Sequence, residues 1–300
     1  MNNILMLFID GVGIGKEDYS FNPFFKYGFK TFEKFFGEIP SLQNTKLHGE
    51  NCFLFPVDAC LGVEGLPQSG TGQTSIFCGV NAPKIIGQHF GPYPYSTLVP
   101  IIKEKNIFKY FLDKEQKVLF ANAYPKIFFD YINSGKKRLS ATSLICQLNG
   151  MRLNKVTDVR RGKALTAEIT NERWNKKLGY SLPIISPETA ARRLLRIASQ
   201  NTFTLYEYFL TDHIGHGRYE DEFKQILDNL DRFLYKILEV MDNKNSTLII
   251  CSDHGNLEDI SIKTHTFNPA LMITAGRNAE KIFHQVKDLT QIKDSIINSF

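Results

Sequence analysis

A chain of 300 residues, 43% hydrophobic and 22% charged, can bury a substantial core and is neither disordered nor fibrous in composition. Its net charge of +5 suits an anionic ligand, but the basic residues are scattered rather than gathered into a stripe with aromatics, so nucleic acid is not supported. Five cysteines, odd in number, far apart and without CxxC spacing, argue against a disulfide framework or zinc ribbon and for a reducing, cytoplasmic setting.

The apolar run Ile4 to Ile9 is far too short to span a bilayer and matches a buried strand; it ends at Asp10 and a turn, Gly11-Val12-Gly13-Ile14-Gly15. A glycine-rich turn, Leu66 to Gly72, then leads into an apolar helical start that reaches Gly79. Such a turn offers free backbone N–H groups to an anion. A helix over Ser96 to Phe111 and a strand over Lys117 to Ala123 follow. Residues 125–182 are irregular and basic and read as a small inserted cap, which leaves 1–124 and 183–300 as a discontinuous core.

Beyond the cap, Ser186 and Pro187 open a helix to Ser199. Phe203 to Leu210 reads as a strand ending near Asp212, and Glu220 to Val240 as an amphipathic helix. Thr247 to Cys251 is a strand ending at Asp253. Strands alternating with helices predict an α/β sandwich, and in such sheets ligands bind beyond the carboxyl ends of the strands, where these three aspartates fall.

The chemistry gathers there. Thr211-Asp212-His213-Ile214-Gly215-His216 and Ser252-Asp253-His254-Gly255 each join a carboxylate to imidazole, and Thr264-His265-Thr266 follows. Carboxylate and imidazole are good ligands for a divalent cation. A lone Asp-His pair is usually a turn or a helix cap; several at successive strand ends point to a metal centre.

In this order, an N-terminal strand with Asp10-Gly11, a hydroxyl residue opening a helix, Asp212-x-x-x-His216, Asp253-His254-Gly255 and a late His265 resemble the alkaline phosphatase superfamily. The nearest branch is that of cofactor-independent phosphoglycerate mutases and phosphopentomutases. The resemblance implies an alkaline-phosphatase-like three-layer α/β/α sandwich. It also implies two divalent ions (manganese or zinc, with magnesium a third option) and a small anionic phosphoester substrate. One ion falls to Asp10, Thr71, Asp253 and His254 and the other to Asp212, His216 and His265, with His213 outside the set. Thr71-Gly72-Gln73 resembles the Thr-Gly-His of phosphopentomutases, which gives Thr71 as the covalent nucleophile, with Ser69 and Thr74 as rivals.

Within the cap, Arg160, Arg161 and Lys163, with Lys136, Lys137 and Arg138 upstream, could grip a distal anion of the substrate or form a solvated basic loop. The cap is far shorter than the insertion of the mutases, which favours a phosphatase or phosphodiesterase over a phosphomutase. Other readings fit less well. In Gly11-x-Gly13-x-Gly15 the third glycine comes one residue too early for a dinucleotide fingerprint, and Gly15-Lys16-Glu17 lacks the P-loop pattern. The Cys/Ser-x-Pro-x-Arg signature of sulfatases is not matched at Cys78. A catalytically silent binding protein remains the alternative of another class, and the complete ligand set speaks against it.

Overall fold

A computed structural model describes residues 2–135 and 138–299. Seven strands form one sheet: β1 (Asn3–Ile9), β2 (Leu47–Gly49), β3 (Cys52–Val57), β4 (Val118–Phe120), β5 (Phe203–Tyr208), β6 (Ser246–Cys251) and β7 (Ala270–Gly276). They lie in the order β2-β3-β7-β6-β1-β5-β4. The central strands β6, β1, β5 and β4 are mutually parallel, whereas β7, β3 and β2 add an antiparallel edge.

Every residue of β1 is buried, as an unbroken apolar run requires when both faces of a sheet are covered. Because side chains alternate, Leu5, Leu7 and Ile9 enter one core with the helices Pro187–Ala198 and Phe223–Val240. Ile4, Met6 and Phe8 enter a second core with the helices Ser69–Cys78, Ala279–Gln285 and Gln291–Asn298. The result is the α/β/α sandwich expected from the sequence.

Local chemistry explains where the elements differ from the expected ones. The helix expected over Ser96 to Phe111 is interrupted at Asn106. This residue is extended (φ −68°, ψ 151°), and its side chain accepts from Lys109 N to cap a new helix, Ile107–Leu112. Ser186 caps its helix as expected, accepting from Thr189 N at 3.2 Å. Strand β5 stops at Tyr208, and a short helix, Leu210–Gly215, carries Asp212.

The 125–182 segment contributes four helices and no strand among the described residues. Its helix Ala141–Leu148 sends Ala141, Ile145 and Cys146 into the second core, while Val159, Ala164, Trp174 and Leu182 form a small cluster with Ala123. Isolated bridges tie Asn122 to Leu165 and Ala123 to Asn154. The segment is therefore packed onto the end of β4.

Candidate functional site

Strands β6, β1 and β5 are adjacent and parallel, so their carboxyl ends deliver Asp253 with His254, Asp10, and Asp212 to one edge of the sheet. The turn after β1 is made by Gly11 at φ +67°, where an added Cβ would lie 2.9 Å from Asp212 Oδ1 and 3.1 Å from its Cα. Glycine is required there by backbone conformation and by space. Gly72 serves the same closeness on the other side, with Asp253 Cβ and its carbonyl oxygen each 3.0 Å from where a Cβ would stand.

Donor atoms of Asp10, Asp212 and His254 lie within 4.8 Å of one another, and so do those of Asp212, His216 and His265. Asp212 is common to both groups: its Oδ1 is 3.3 Å from His216 Nε2 and 3.6 Å from His265 Nε2, and Asn256 Nδ2 donates to it at 2.7 Å. Asp253 is fully buried, 3.6 Å from His254 Nε2, and accepts from Gly11 N and Gln73 Nε2, each at 3.4 Å. Asp10 Oδ1 is buried without a hydrogen-bond partner, with His254 Nε2 3.4 Å away.

The three imidazoles share one arrangement. His216 Nδ1 faces Lys263 O at 2.9 Å, His265 Nδ1 faces Pro67 O at 2.6 Å, and His254 Nδ1 faces Gly255 O at 3.3 Å. A carbonyl oxygen only accepts, so each Nδ1 carries the proton and each Nε2 is left to turn on the carboxylates. His216 and His265 bring their Nε2 atoms to 3.2 Å of each other, beside Asp212. The facing lone pairs of His216 and His265 beside the Asp212 carboxylate repel unless a cation joins them, and carbonyl-oriented imidazoles are how proteins aim metal-binding histidines. The donor set fits divalent cations.

Acid–base behaviour carries the same strain. Burial, then the charge of Asp253, pushes the Asp10 carboxyl well above its usual range. Burial also raises Asp253. Desolvation works to lower His254, but Asp253 and then Asp10 outweigh it and hold the imidazole up at about 10. Burial likewise works to raise Asp212, and the His216 hydrogen bond and the His254 charge overcome it, so this carboxyl lies below its usual range. Burial, then His254, lowers His265 to about 4.

At the hydroxyl turn the geometry departs from the sequence expectation. The helix Ser69–Cys78 begins at Ser69, whose Oγ is 3.1 Å from His254 Nε2. Positions four apart share a helix face, so Gln73 joins Ser69 beside Asp253, whereas Thr71, two positions on, turns away. Thr71 is fully buried; its hydroxyl donates to Gln68 O at 3.1 Å and accepts from Phe90 N at 3.2 Å. Thr74 donates to Gly70 O within the helix. Ser69, the rival in the sequence reading, is the hydroxyl that meets the carboxylate and imidazole cluster.

These groups open into a cleft of about 1090 Å³ lined by Asp10, Ser69, Gln73, Asp212, His216 and His265, with Arg138, Arg218 and Lys263 among its cationic residues. Arg160, Arg161 and Lys163 are exposed and do not line it; Gly162 between them packs on Arg193 and Arg196 of the helix Pro187–Ala198 instead. Lys136 and Lys137 lie outside the described residues. His213 is held between Phe209 and Tyr219 and belongs to neither donor group; burial, then Arg218, lowers it to about 4.

Sequence reasoning passed over several supporting residues. Glu258 is buried and accepts from Gly13 N and Asn256 N, each at 2.8 Å, from Thr266 Oγ1, and from Asn268 Nδ2 at 3.0 Å, tying the turn after β1 to the loops of His254 and His265. Asn256, two residues past His254, steadies Asp212. Arg218 and Lys263 follow and precede metal-type histidines by two residues, a signal the sequence did offer.

With this geometry in view, the class is defined by a family model described as Metalloenzyme superfamily, which matches residues 147–300. The chain belongs to the Metalloenzyme superfamily, whose phosphatases and phosphomutases are metal-dependent phosphoryl-transfer enzymes. Among particular proteins, it is 32% identical over 107 residues to a 2,3-bisphosphoglycerate-independent phosphoglycerate mutase of Ehrlichia canis (strain Jake). That match covers 31% of this chain and only 21% of the mutase. A cold-active alkaline phosphatase from a psychrophilic Shewanella sp. superposes with a TM-score of 0.50 at 11% identity, over 98% of each chain. The alkaline phosphatase of the Antarctic bacterium TAB5 gives 0.48 at 11% identity, covering 99% of this chain and 97% of its own. The Shewanella match bears out the alkaline-phosphatase-like fold expected from the sequence.

Proposed function

We propose that the chain is a two-metal phosphoester hydrolase, of phosphatase or phosphodiesterase type, acting through a phosphoserine at Ser69. The observation that carries this reading is the common pose of His216, His254 and His265, with Nδ1 on a backbone carbonyl and Nε2 on shared carboxylates, beside a hydroxyl at a helix N-terminus. Asp10, Asp253 and His254, with Ser69, would hold one cation, and Asp212, His216 and His265 the other. Bound there, a pair of manganese, zinc or magnesium ions supplies positive charge that acidifies a hydroxyl and draws in phosphoryl oxygens.

The residues of the chain do the positioning. The first turn of the helix Ser69–Cys78 holds the Ser69 hydroxyl toward the cleft, and its amino end favours an anion. Ser69 Oγ bonds to phosphorus as the bond to the substrate's alcohol breaks; the alcohol leaves with a proton and the phosphoryl group rests on Ser69. Water then replaces Ser69 at phosphorus, restoring the hydroxyl and releasing inorganic phosphate from a monoester or the remaining monoester from a diester. Gln73 and Asn256 keep Asp253 and Asp212 aimed by their amide hydrogen bonds throughout.

Hydrolysis rather than transfer to a retained alcohol is favoured by the wall of the cleft, where Ile127 is 67% and Leu178 43% exposed, so that water reaches the phosphoserine. Five free cysteines, four of them buried, suit a reducing cytoplasm, and no helix among the described residues is long and apolar enough to cross a membrane. The test is release of phosphate from phosphoesters by manganese- or zinc-loaded protein, with an acid quench and peptide mass spectrometry. The expected product is a Ser69 phosphopeptide. Turnover with no modified Ser69 peptide would overturn the nucleophile, and release of neither phosphate from monoesters nor alcohol from diesters with either ion would overturn the hydrolase.

A further inference from the structure

We infer that the cleft selects a phosphoester whose alcohol carries an aromatic or comparably bulky apolar group; this rests on the phosphoester reading above. The cleft that contains Ser69 and the acidic cluster is lined by Tyr93, Tyr124, Phe128, Tyr131, Trp174 and Phe209. At about 1090 Å³ it slightly exceeds the roughly 300–1,000 Å³ range of pockets that enclose drug-sized ligands. A phosphoryl group engages only the acid, imidazole and hydroxyl groups; the remaining lining is rich in apolar surface.

The helix Lys126–Asn133 makes the case most directly. Its sequence, Lys-Ile-Phe-Phe-Asp-Tyr-Ile-Asn, is dominated by large apolar residues, yet none of its residues is buried. Ile127, Phe128 and Tyr131 face the cleft instead, with Ile127 67% exposed. Apolar surface left hydrated beside a reactive cluster marks a binding wall, because covering it is favourable. The wall is also firm. Tyr124 stacks on Phe128 with ring centroids 4.0 Å apart, and its hydroxyl is held 2.7 Å from Ser143 Oγ. Trp174 packs against Tyr180 at 5.1 Å. Rigid aromatic faces bind planar groups at little cost in conformational entropy.

Three cationic side chains share the lining: Arg138 lies beside the aromatic wall, where its carbonyl accepts from the Tyr131 hydroxyl at 3.3 Å, and Arg218 and Lys263 lie with the histidines. Arg218 N donates to His213 O, and Lys263 O receives His216 Nδ1, so both belong to the loops that carry the phosphoryl-facing histidines. The exposed basic group Arg160, Arg161 and Lys163, which could have gripped a distal carboxylate or phosphate, is outside the cleft.

Trp174 is the single tryptophan of the chain and lines the cleft, so its emission reports occupancy without reference to turnover. Metal-loaded protein would be titrated with benzylphosphonate and with ethylphosphonate, which share the anion and differ in the ring. The inference predicts a Kd at least about tenfold lower for benzylphosphonate. Phe128→Ala and Phe209→Ala, at positions that are not fully buried, should each cut the preference to under about threefold, while Arg160→Ala leaves it intact. Equal Kd values, or a preference that survives both phenylalanine substitutions, overturn the inference. Turnover of benzyl phosphate against ethyl phosphate separates the two readings: preference without turnover of either ester strikes the hydrolase and supports the aromatic wall, and turnover without preference does the reverse.

Discussion

Replacing Ser69 or Thr71 by alanine separates catalysis from folding within one helical turn. Ser69→Ala removes the hydroxyl beside His254 and, if Ser69 is the nucleophile, should lower kcat by at least about 10³-fold. Among the described residues the Ser69 hydroxyl bonds to this imidazole alone, so the helix should survive with a stability change of under about 1 kcal/mol. Thr71→Ala removes a fully buried hydroxyl that both donates to Gln68 O and accepts from Phe90 N, together with a buried methyl. Gln68 O keeps its bond from Gly72 N at 2.8 Å, so the cost is that of Phe90 N left unpaired, about 1–3 kcal/mol, to which the lost methyl adds about 0.8 kcal/mol, with kcat falling less than about tenfold. Urea unfolding followed by fluorescence gives the stabilities, and phosphate release under saturating substrate gives kcat. A folded Thr71→Ala protein that loses about 10³-fold in kcat, beside a Ser69→Ala protein of near-normal activity, would refute the assignment.

Two further perturbations probe the scaffold. Gly11→Ala forces a side chain onto a left-handed residue and into Asp212, so it should destabilise the fold by about 2 kcal/mol or more and weaken cation binding at least about tenfold; wild-type affinity by isothermal titration would contradict this. The Arg232 fork depresses the Glu188 carboxyl from 4.5 to about 2 and joins the helices Pro187–Ala198 and Phe223–Val240. Because this folded-state value is lowered, its contribution is full above 4.5 and lost as pH falls toward about 2. With side chains 51% and 33% exposed, solvent screening leaves about 0.5–1 kcal/mol. Glu188→Gln should therefore be less stable than wild type near neutrality by that amount, with the gap closing in acid and in high salt; a gap that widens in acid would contradict it.

The central strands and their terminal aspartates were legible because a strand buried on both faces must be a continuous apolar run, as Ile4 to Ile9 and Thr247 to Cys251 are. Asp10, Asp212, Asp253, His216, His254 and His265 converge as their order implied. The antiparallel edge was harder to read, since Cys52–Val57 is broken by Pro56 and Leu47–Gly49 is only three residues long. Thr71 drew attention through its Thr-Gly-Gln context, yet which hydroxyl faces the cluster depends on where the helix starts. A start at Ser69 places Thr71 on the opposite face. The basic run at Arg160 to Lys163 carried no periodicity to say which way it would face; its basic side chains are exposed, and only Gly162 between them packs on Arg193 and Arg196.

Metal content is the most direct test of the proposed dinuclear centre. Protein equilibrated with manganese or zinc, desalted and analysed by plasma mass spectrometry, should hold close to two ions per chain. Asp212→Asn, which alters the one carboxylate common to both donor groups, should bring this to about one or fewer, with Arg160→Ala unchanged. Wild-type protein that retains almost no cation, or Asp212→Asn protein that still retains two, would contradict the account.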